Sequence, residues 1–261
     1  MIELKRIKKI DNFKKITEIQ RSAWGFLDLD IEPHHVMTRV QKYGGLVQGL
    51  FYNGELAGYT YALIGKWNGD YFVYSHQAAV KKEHQDKGFG FLLKKAQRDE
   101  VRKMGYQVMR WNFDPLESMN AFFNIHRLGI ISVEYERNIY GTGESGLHKG
   151  LPTDRLIATW KLDSDRVVKK MEHKGPSIME DIPRENLENF TQDTAYIEIP
   201  KNIRALKETH LNEAIEWRMK TRHLFESAFQ KGYVVQDFVF SGDKQRVFYK
   251  LYHQKAMGID R

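Results

Sequence analysis

The sequence predicts an α/β fold, in which a mixed central sheet is flanked by helices and a smaller β-α-β-β domain follows. Two patterns predict it. Strand-like runs fill residues 44–80 before a long helical pattern begins, so the early strands are expected to pair antiparallel. A strand, a long helix and two further strands follow a charged segment that contains Pro176 and Pro183. The expected parts are a first domain at 1–165, a linker at 166–190 and a β-α-β-β companion domain at 191–261.

Composition limits the kind of protein that this chain can be. It has 261 residues, 41% of them hydrophobic, and no cysteine, so disulfides and thiolate nucleophiles are excluded. No apolar run reaches membrane-spanning length and residues 1–5 lack the core of a secretion signal, so we expect a cytoplasmic protein without a membrane partner. The net charge of +7 favours a polyanionic partner or reflects solvated lysines. Basic and acidic residues are interleaved and form no reader motif, which argues against nucleic acid.

The first elements follow from capping residues and helical spacing. Residues 1–9 predict a strand, and Asp11 is suited to cap the helix that follows. The apolar residues of this helix share one face: Phe13, Ile16 and Ile19. A second helix is expected to begin at Pro33. His34 and His35 lack the third ligand that a metal site needs, so we predict no metal.

The clearest hairpin in the sequence surrounds Asn53 and Gly54. Runs rich in β-branched and aromatic residues flank this dipeptide, at 44–52 and 55–64. Asn-Gly accepts positive φ angles at both turn positions, so it favours a tight type I′ turn. The next strand is expected at 71–80, which completes an antiparallel meander.

A glycine turn joins that strand to an amphipathic helix. It consists of residues 85–90: Gln85, Asp86, Lys87, Gly88, Phe89 and Gly90. A helix start presents unpaired N–H groups and a partial positive charge, glycines let an anion approach them, and Gln85 and Lys87 add a donor and a charge. An ordinary strand-to-helix turn is the alternative, because the pattern is neither a Walker loop nor a dinucleotide fingerprint. The charged residues of the helix are expected on its solvent side: Lys94, Lys95, Arg98, Asp99 and Lys103.

Two segments of the chain resemble one known family. The pattern Gln85-x-x-Gly88-x-Gly90, placed just after the strand, resembles the acyl-CoA signature (Q/R-x-x-G-x-G/A) of the GNAT superfamily of N-acyltransferases. The second segment has a strand at 108–113 and a helix at 118–127, and it ends in residues similar to the Leu-Gly-Phe that closes that helix in the family: Leu128, Gly129 and Ile130. The resemblance is clearest over residues 46–162.

The resemblance implies a GNAT-like central sheet that opens beside the signature strand and takes acetyl-CoA or another acyl-CoA as co-substrate. It implies that backbone groups near Ala79 and Val80 bind the pantetheine arm and that the amides of the glycine turn bind the pyrophosphate. Asn120 would reach the coenzyme from the next helix. The cofactor-binding residues implied are Ala79, Val80, Gln85, Lys87, Gly88, Phe89, Gly90 and Asn120.

Acyl transfer to an amine needs a base for the nitrogen and a proton for the leaving thiolate. The family usually meets the second need with a tyrosine four residues before the helix-closing glycine, and here that position is Ile125. His126, Tyr140 or Tyr135 would have to replace it, or solvent would. The base candidates are His76, within the signature strand, and Glu83 or His84 at its end. A lone strand histidine is more often structural. The expected catalytic residues are therefore His76, Glu83, His126 and Tyr140.

The second half of the chain offers further charged groups. Asp114 and Glu117 are either a site for the ammonium group of the acceptor or solvated loop carboxylates. Arg218, Arg222 and His223 either hold a carboxylate or form a solvated basic face. Strands are expected at 133–140 and 155–162, with a glycine-rich loop that covers the substrate between them. The companion domain should contain a strand at 195–200, a helix from 203 to about 232, and strands at 233–240 and 246–252.

The expected function is transfer of an acetyl or succinyl group from acyl-CoA to the primary amine of a small metabolite such as an amino acid. Direct attack is expected, because the chain has no cysteine nucleophile. A protein N-acyltransferase, a non-catalytic acyl-CoA-binding sensor and a nucleic-acid-associated protein are the alternatives. The sequence leaves the acyl donor, the acceptor and homo-oligomerisation open.

Overall fold

The computed structural model describes residues 1–67, 69–141, 150–173, 175–181 and 187–257. These residues form two compact units, and the chain passes from the first to the second between Trp111 and Asn112. This division does not follow the predicted one into 1–165, 166–190 and 191–261, which stays a prediction about how the chain is organised.

The first unit is a mixed sheet with helices. Its strands are β1 Ile2–Arg6, β2 Leu46–Tyr52, β3 Glu55–Trp67, β4 Asp70–Val80 and β5 Val108–Phe113, which runs on into the second unit. Its helices are α1 Ile10–Trp24, α2 His34–Lys42 and α3 Phe89–Lys103, with a 3-10 turn at Lys82–His84. The strand order is β1-β2-β3-β4-β5. The first four strands pair antiparallel, whereas β4 and β5 pair in parallel at Val73↔Met109.

Local sequence signals explain most of these elements. Asn53 and Gly54 have φ angles of 51° and 87°, so the predicted type I′ turn is confirmed. Helix α1 buries the predicted face and ends at Gly25, which is left-handed. The predicted cap at Asp11 is wrong, because the helix begins one residue earlier and Lys9 holds the cap position. Asp11 lies in the first turn, where its charge favours the positive helix end.

The sheet of the first unit is covered on both faces. Helices α1 and α2 pack against a buried cluster on one face that includes Ile16, Met37, Tyr59 and Tyr61. Helix α3 packs on the other face, where Leu93 lies in a second buried cluster. Because both faces are covered, β2 is buried along almost its whole length and includes the buried polar residue Gln48.

The second unit contains short helices and two groups of strands. Its elements are α4 Ser118–Ala121 with a π-helical turn Phe122–Arg127, β6 Tyr135–Glu136, β7 Arg155–Lys161, α5 Asp165–Glu172, β8 Ser177–Met179, β9 Thr194–Ile199, α6 Ile203–Thr209, α7 Leu211–Gln230, β10 Tyr233–Ser241, β11 Val247–His253 and a 3-10 turn Gln254–Met257. Strands β6 and β7 pair antiparallel. The other four form a sheet in the order β8-β10-β11-β9.

The predicted β-α-β-β order of the companion segment is confirmed by β9, the helices α6 and α7, β10 and β11. The predicted single helix is interrupted at His210, where φ is −143°. The predicted linker contains helix α5, which Ser164 caps through its hydroxyl. Strand β6 has only two residues of the predicted range 133–140. Ser118 is the first residue of α4, and its hydroxyl donates to the carbonyl of Lys201 at 2.6 Å.

Two further predictions concern the glycine-rich loop and the absence of membrane-spanning segments. Most of the glycine-rich loop, residues 142–149, lies outside them, and so does the hypothesis that this loop covers the substrate. Within the described part of the chain, no helix combines the length and the apolar character needed to cross a bilayer.

Candidate active site

The glycine turn in the first unit leaves room for a ligand. Gly88, directly before α3, has a φ angle of 77°, and Asp86 has a φ angle of 60°. A Cβ atom placed on Gly88 or Gly90 would meet nothing within 4 Å. The backbone of this turn therefore faces open space.

The backbone amides of the turn have no acceptor. Among the residues that the structure describes, none accepts a hydrogen bond from the N–H groups of residues 86–90. These donors lie at the positive end of α3, next to left-handed residues of the type that forms anion-binding nests. The turn can therefore bind an anion, and a phosphate has the right charge and acceptor oxygens.

Three side chains hold the turn in place. The amide of Gln85 donates to the carbonyl of Val80 at 3.2 Å, and Lys87 Nζ donates to the carbonyl of Glu83 at 3.0 Å. Phe89 is buried and packs against Tyr52, with ring centroids 5.4 Å apart. The side chains of Gln85 and Lys87 thus brace the turn, whereas they were expected at its rim.

The end of β4 lies close to β3. Ala79 pairs with Tyr59, and Val80 pairs with Gly58. A Cβ atom on Gly58 would lie 2.8 Å from the carbonyl oxygen of Ala79, so glycine is needed there for the two strands to approach. The strand end, the turn and the start of α3 are therefore brought together as predicted.

His76 lies at a β-bulge. Tyr61 pairs with Gln77 and Ala62 pairs with Ser75, so His76 is an extra residue in β4. Its side chain, 36% exposed, points to the face covered by α1 and α2, where its Nε2 atom is 3.6 Å from the Glu32 carboxylate. The Tyr61 ring meets the imidazole edge-on, with centroids 5.4 Å apart.

Glu32 is fixed by a buried glutamine that the sequence did not single out. The side chain of Gln20 donates to the carbonyl of Glu32 at 3.2 Å and accepts from its N–H at 2.8 Å. Gln20 is fully buried, so these two bonds fix the backbone of a loop residue. Burial and then the Glu32 charge raise the pKa of Tyr61 to about 12, so its hydroxyl stays protonated at neutral pH.

Lys94 is a buried group that the sequence reading placed on the solvent side of α3. It is 4% exposed, and its Nζ atom donates to Ser75 Oγ at 3.0 Å and to Gln97 Oε1 at 2.9 Å. The same atom lies 3.8 Å from the centroid of the Trp111 ring. Burial lowers the pKa of Lys94 to about 7. One sequence signal could have predicted this burial. Lys94 follows Leu93 and lies on the buried face of α3, where a lysine can bury the methylene groups of its side chain.

His126, expected as a general acid, is engaged on both ring nitrogens within the second unit. Its Nε2 atom is 2.6 Å from the carbonyl oxygen of Gly175, and its Nδ1 atom is 3.3 Å from both Asp237 Oδ1 and Ser177 Oγ. Burial opposes ionisation of Asp237, but His126 and Lys170 outweigh it and lower the pKa of this carboxyl to about 2. With 1% of its surface exposed, His126 serves as a structural junction.

The other predicted catalytic and coenzyme contacts are more exposed. Tyr140 is 56% exposed, and its hydroxyl exchanges hydrogen bonds of 3.0 and 3.2 Å with the amide of Asn112. Asn120 accepts from Asn124 at 3.0 Å. Glu83 is exposed in the 3-10 turn of the first unit. Tyr140 and Asn120 belong to the second unit.

The acidic and basic residues of the second unit pair with one another. Arg218, fully buried, donates from Nη2 to both carboxylate oxygens of Asp114 at 2.7 Å, so the predicted solvated basic face is wrong for this residue. Arg222 pairs with Asp154 at 2.7 and 2.8 Å. Burial would raise the pKa of Asp114, but Arg218 and Arg155 outweigh it and hold the pKa below its usual value. These pairs are internal ion pairs.

Comparison with solved structures finds the same fold in N-acetyltransferases. The ribosomal-protein-S18-alanine N-acetyltransferase of Escherichia coli is 19% identical, with a TM-score of 0.50 over 63% of this chain and 96% of that protein. An N-acetyltransferase from Staphylococcus aureus Mu50 is 12% identical, with a TM-score of 0.51 over 62% and 99%. The protein yncA of Salmonella typhimurium, solved with its cofactor acetyl-CoA, is 22% identical, with a TM-score of 0.50 over 68% and 98%.

These structures match nearly their whole lengths but only part of this chain, so some of it has no counterpart in them. No protein-family model and no curated protein sequence matches the chain.

Proposed function

Because this chain has the fold of solved acetyltransferases, one of them assigned to the GNAT family, we propose that it transfers an acyl group from acyl-CoA to a primary amine. One observation carries the proposal: the unpaired amides of residues 86–90 open onto free space beside Gly88 and Gly90. Every helix start has such unpaired N–H groups, but here glycines at 88 and 90 also keep side chains away from them. A polyanionic coenzyme supplies the missing acceptors.

The residues that would hold the coenzyme lie along β4 and the turn. The amides of residues 86–90 would bind its pyrophosphate, and backbone groups of Ala79 and Val80 would bind its arm. Gln85, Lys87 and Phe89 keep the turn in the required shape. Bound acyl-CoA supplies an activated thioester. The amide of Asn120 is a further proposed contact.

His76 is the proposed general base. An imidazole changes its charge near physiological pH, which suits removal of a proton from an amine. The carboxylate of Glu32, 3.6 Å from Nε2, would stabilise the positive charge that the ring gains. Glu83, which is exposed at the end of the strand, is the second candidate for this role.

The proton for the leaving thiolate needs a different donor. Ile125, at the position of the family's usual tyrosine, is fully buried and has no ionisable group. His126 is already hydrogen-bonded at both ring nitrogens, so we do not assign it this role. Tyr140, which is 56% exposed and whose hydroxyl exchanges hydrogen bonds with the side chain of Asn112, is the proposed proton donor, with solvent as the alternative. The proposed acyl donor is acetyl- or succinyl-CoA. The proposed acyl acceptor is the amine of a small metabolite, rather than a protein amine.

Calorimetric titration with coenzyme A, acetyl-CoA and succinyl-CoA tests the coenzyme site. Gly88→Trp should abolish binding because the indole would fill the space above the amides. Gly54→Trp is a matched control, since Gly54 also has a positive φ angle, 87°, and nothing within 4 Å of an added Cβ. Both variants therefore carry similar backbone strain. If the folded wild type binds none of the three, or if both variants bind equally well, the proposal fails.

A non-catalytic acyl-CoA sensor is the second candidate, because Ile125 replaces the usual acid. The two functions differ in one product. An enzyme releases free thiol from acetyl-CoA when an amine is added, whereas a sensor binds acetyl-CoA and releases none. A panel of amines and a panel of peptides, assayed for thiol release, would also separate small-molecule from protein acceptors.

A further inference from the structure

A shallow cleft of about 310 Å³ lies in the first unit, between α2 and β3. It is lined by Arg39, Val40, Tyr43, Gly45, Leu63 and Ile64. Three of these residues have aliphatic side chains, so the walls suit methylene groups. Its volume is at the small end of the range for ligand sites, about 300–1,000 Å³.

One cation in the cleft lacks a counter-charge. Within the part of the chain that the structure describes, the guanidinium of Arg39 makes no ion pair or hydrogen bond. Arg39 is exposed, whereas Arg21 of the same unit is paired with Asp28 at 2.6 Å. A guanidinium matches the planar fork of a carboxylate. The cleft is therefore apolar with one anion-binding end.

The cleft lies on the same face of the sheet as His76. Residues two apart in a strand share a face, so Leu63 lies beside Tyr61 on β3, and Tyr74 is its partner on β4. The His76 ring contacts both tyrosines, with centroids 5.4 Å from Tyr61 and 6.1 Å from Tyr74. A continuous surface thus leads from His76 to the cleft, and two strand residues span about 7 Å.

The two ends of this surface carry opposite charges. Glu32 lies at the His76 end, where a carboxylate attracts an ammonium group and repels another carboxylate. Arg39 lies at the cleft end. A ligand with both groups on one carbon would place its own carboxylate near Glu32. A ligand that separates them by several carbons would match both ends.

We propose that the acceptor is a primary amine joined to a carboxylate by an apolar chain of several carbons, with the carboxylate bound by Arg39. This inference rests on the proposed function, and it narrows the acceptor from amino acids in general to amines distant from their carboxylate. In the reaction the amine nitrogen bonds to the acyl carbon as the carbon–sulfur bond breaks. The nitrogen loses one proton to His76, and the thiolate gains one, so that an amide and a free thiol result.

Three amines test the chain length and the carboxylate separately: 6-aminohexanoate, hexylamine and glycine. The wild type should prefer 6-aminohexanoate to both others. Arg39→Met should lower kcat/KM for 6-aminohexanoate roughly two- to fivefold, the range for a solvent-exposed ion pair, and leave hexylamine unchanged. Lys95→Met removes an exposed cation from α3, on the opposite face, and should change neither.

The inference is overturned if glycine is the better substrate, or if Arg39→Met affects hexylamine and 6-aminohexanoate equally. Ligand-observed NMR of 6-aminohexanoate with the protein and coenzyme A distinguishes this failure from failure of the proposed function. Binding of 6-aminohexanoate that Arg39→Met weakens and Lys95→Met does not would support the cleft even if no amine is acylated. Absence of binding to the wild type would reject the cleft even if other amines are acylated.

Discussion

The Nζ atom of Lys94 lies 3.0 Å from the Oγ atom of Ser75, inside the first unit. Ser75 also lies 3.0 Å from Gln97 Oε1, so the three side chains form a small polar network between β4 and α3. The ring of Trp111 covers the ammonium group. The network lies one residue from His76, on the opposite face of the strand.

Lys94 should make the stability of the protein depend on pH. Burial lowers its pKa from 10.5 to about 7, so between these values the unfolded chain holds a proton that the folded chain has lost. The free energy of unfolding should therefore rise with pH across this window, by up to about 1.4 kcal/mol per unit. Urea unfolding of wild type and Lys94→Met at pH 7, 8 and 9 would measure it.

Lys94→Met keeps the length of the side chain and removes the titrating group, so its stability should change less with pH than that of wild type. Lys95→Met, at an exposed position on the same helix, should keep the wild-type dependence. Equal slopes for wild type and Lys94→Met would contradict the assignment.

Glu32→Gln should lower kcat roughly two- to fivefold at neutral pH, the range for a partly exposed ion pair. The reason is that the amide cannot stabilise the charge that His76 gains. Coenzyme A binding should be unchanged. Steady-state kinetics would measure the loss in kcat, and calorimetry would measure the unchanged affinity for coenzyme A.

The control for Glu32 is Asp30→Asn, an exposed carboxylate in the same segment. It should leave kcat near the wild-type value. Equal losses in both variants would mean that the negative potential of the segment, rather than the Glu32–His76 contact, supports activity.

Asp114→Asn should destabilise the protein by roughly 3–5 kcal/mol, because it leaves the buried Arg218 without a counter-charge. The pKa of Asp114 lies below its usual value, so its stabilising contribution is present above about pH 4 and is lost as the pH falls through the folded value. Denaturant unfolding of the variant at pH 7 measures the first effect.

Glu117→Gln gives the comparison for an exposed ion pair. Its partner Arg204 is 75% exposed, so the loss should stay below about 1 kcal/mol. If Asp114→Asn costs as little as Glu117→Gln, the pair with Arg218 does not stabilise the second unit.

Two glycines near the proposed coenzyme site should respond differently to substitution by alanine. In Gly58→Ala the added Cβ would lie 2.8 Å from the Ala79 carbonyl, a backbone atom, so we expect a loss of about 1–3 kcal/mol. In Gly90→Ala it enters open space, so stability should change by less than about 0.5 kcal/mol while coenzyme affinity falls. Thermal unfolding and calorimetry would separate the effects. Unchanged coenzyme affinity in Gly90→Ala would place the ligand elsewhere.

The sequence alone determined the elements whose signals are local. Asn53 and Gly54 predicted the hairpin turn because only a few residues accept the positive φ angles that it needs. The apolar spacing of α1 and the glycines at 88 and 90 likewise act through neighbouring residues. Thus the order of strands and helices, and the place of the glycine turn between β4 and α3, followed from the sequence.

Only the tertiary structure decided which charged groups are buried and what they meet. The sequence favours a solvated position for Arg218 on α7. In the structure Arg218 is buried and paired with Asp114, which is 104 residues away along the chain. Glu32 meets His76 because Gln20 fixes one loop and a bulge turns one strand residue toward it. Residue type alone predicts a solvent-exposed position for both Lys94 and Lys95, whereas the structure buries only Lys94. Side-chain type and spacing constrain the local backbone, whereas the partner of a distant charge depends on how the elements pack.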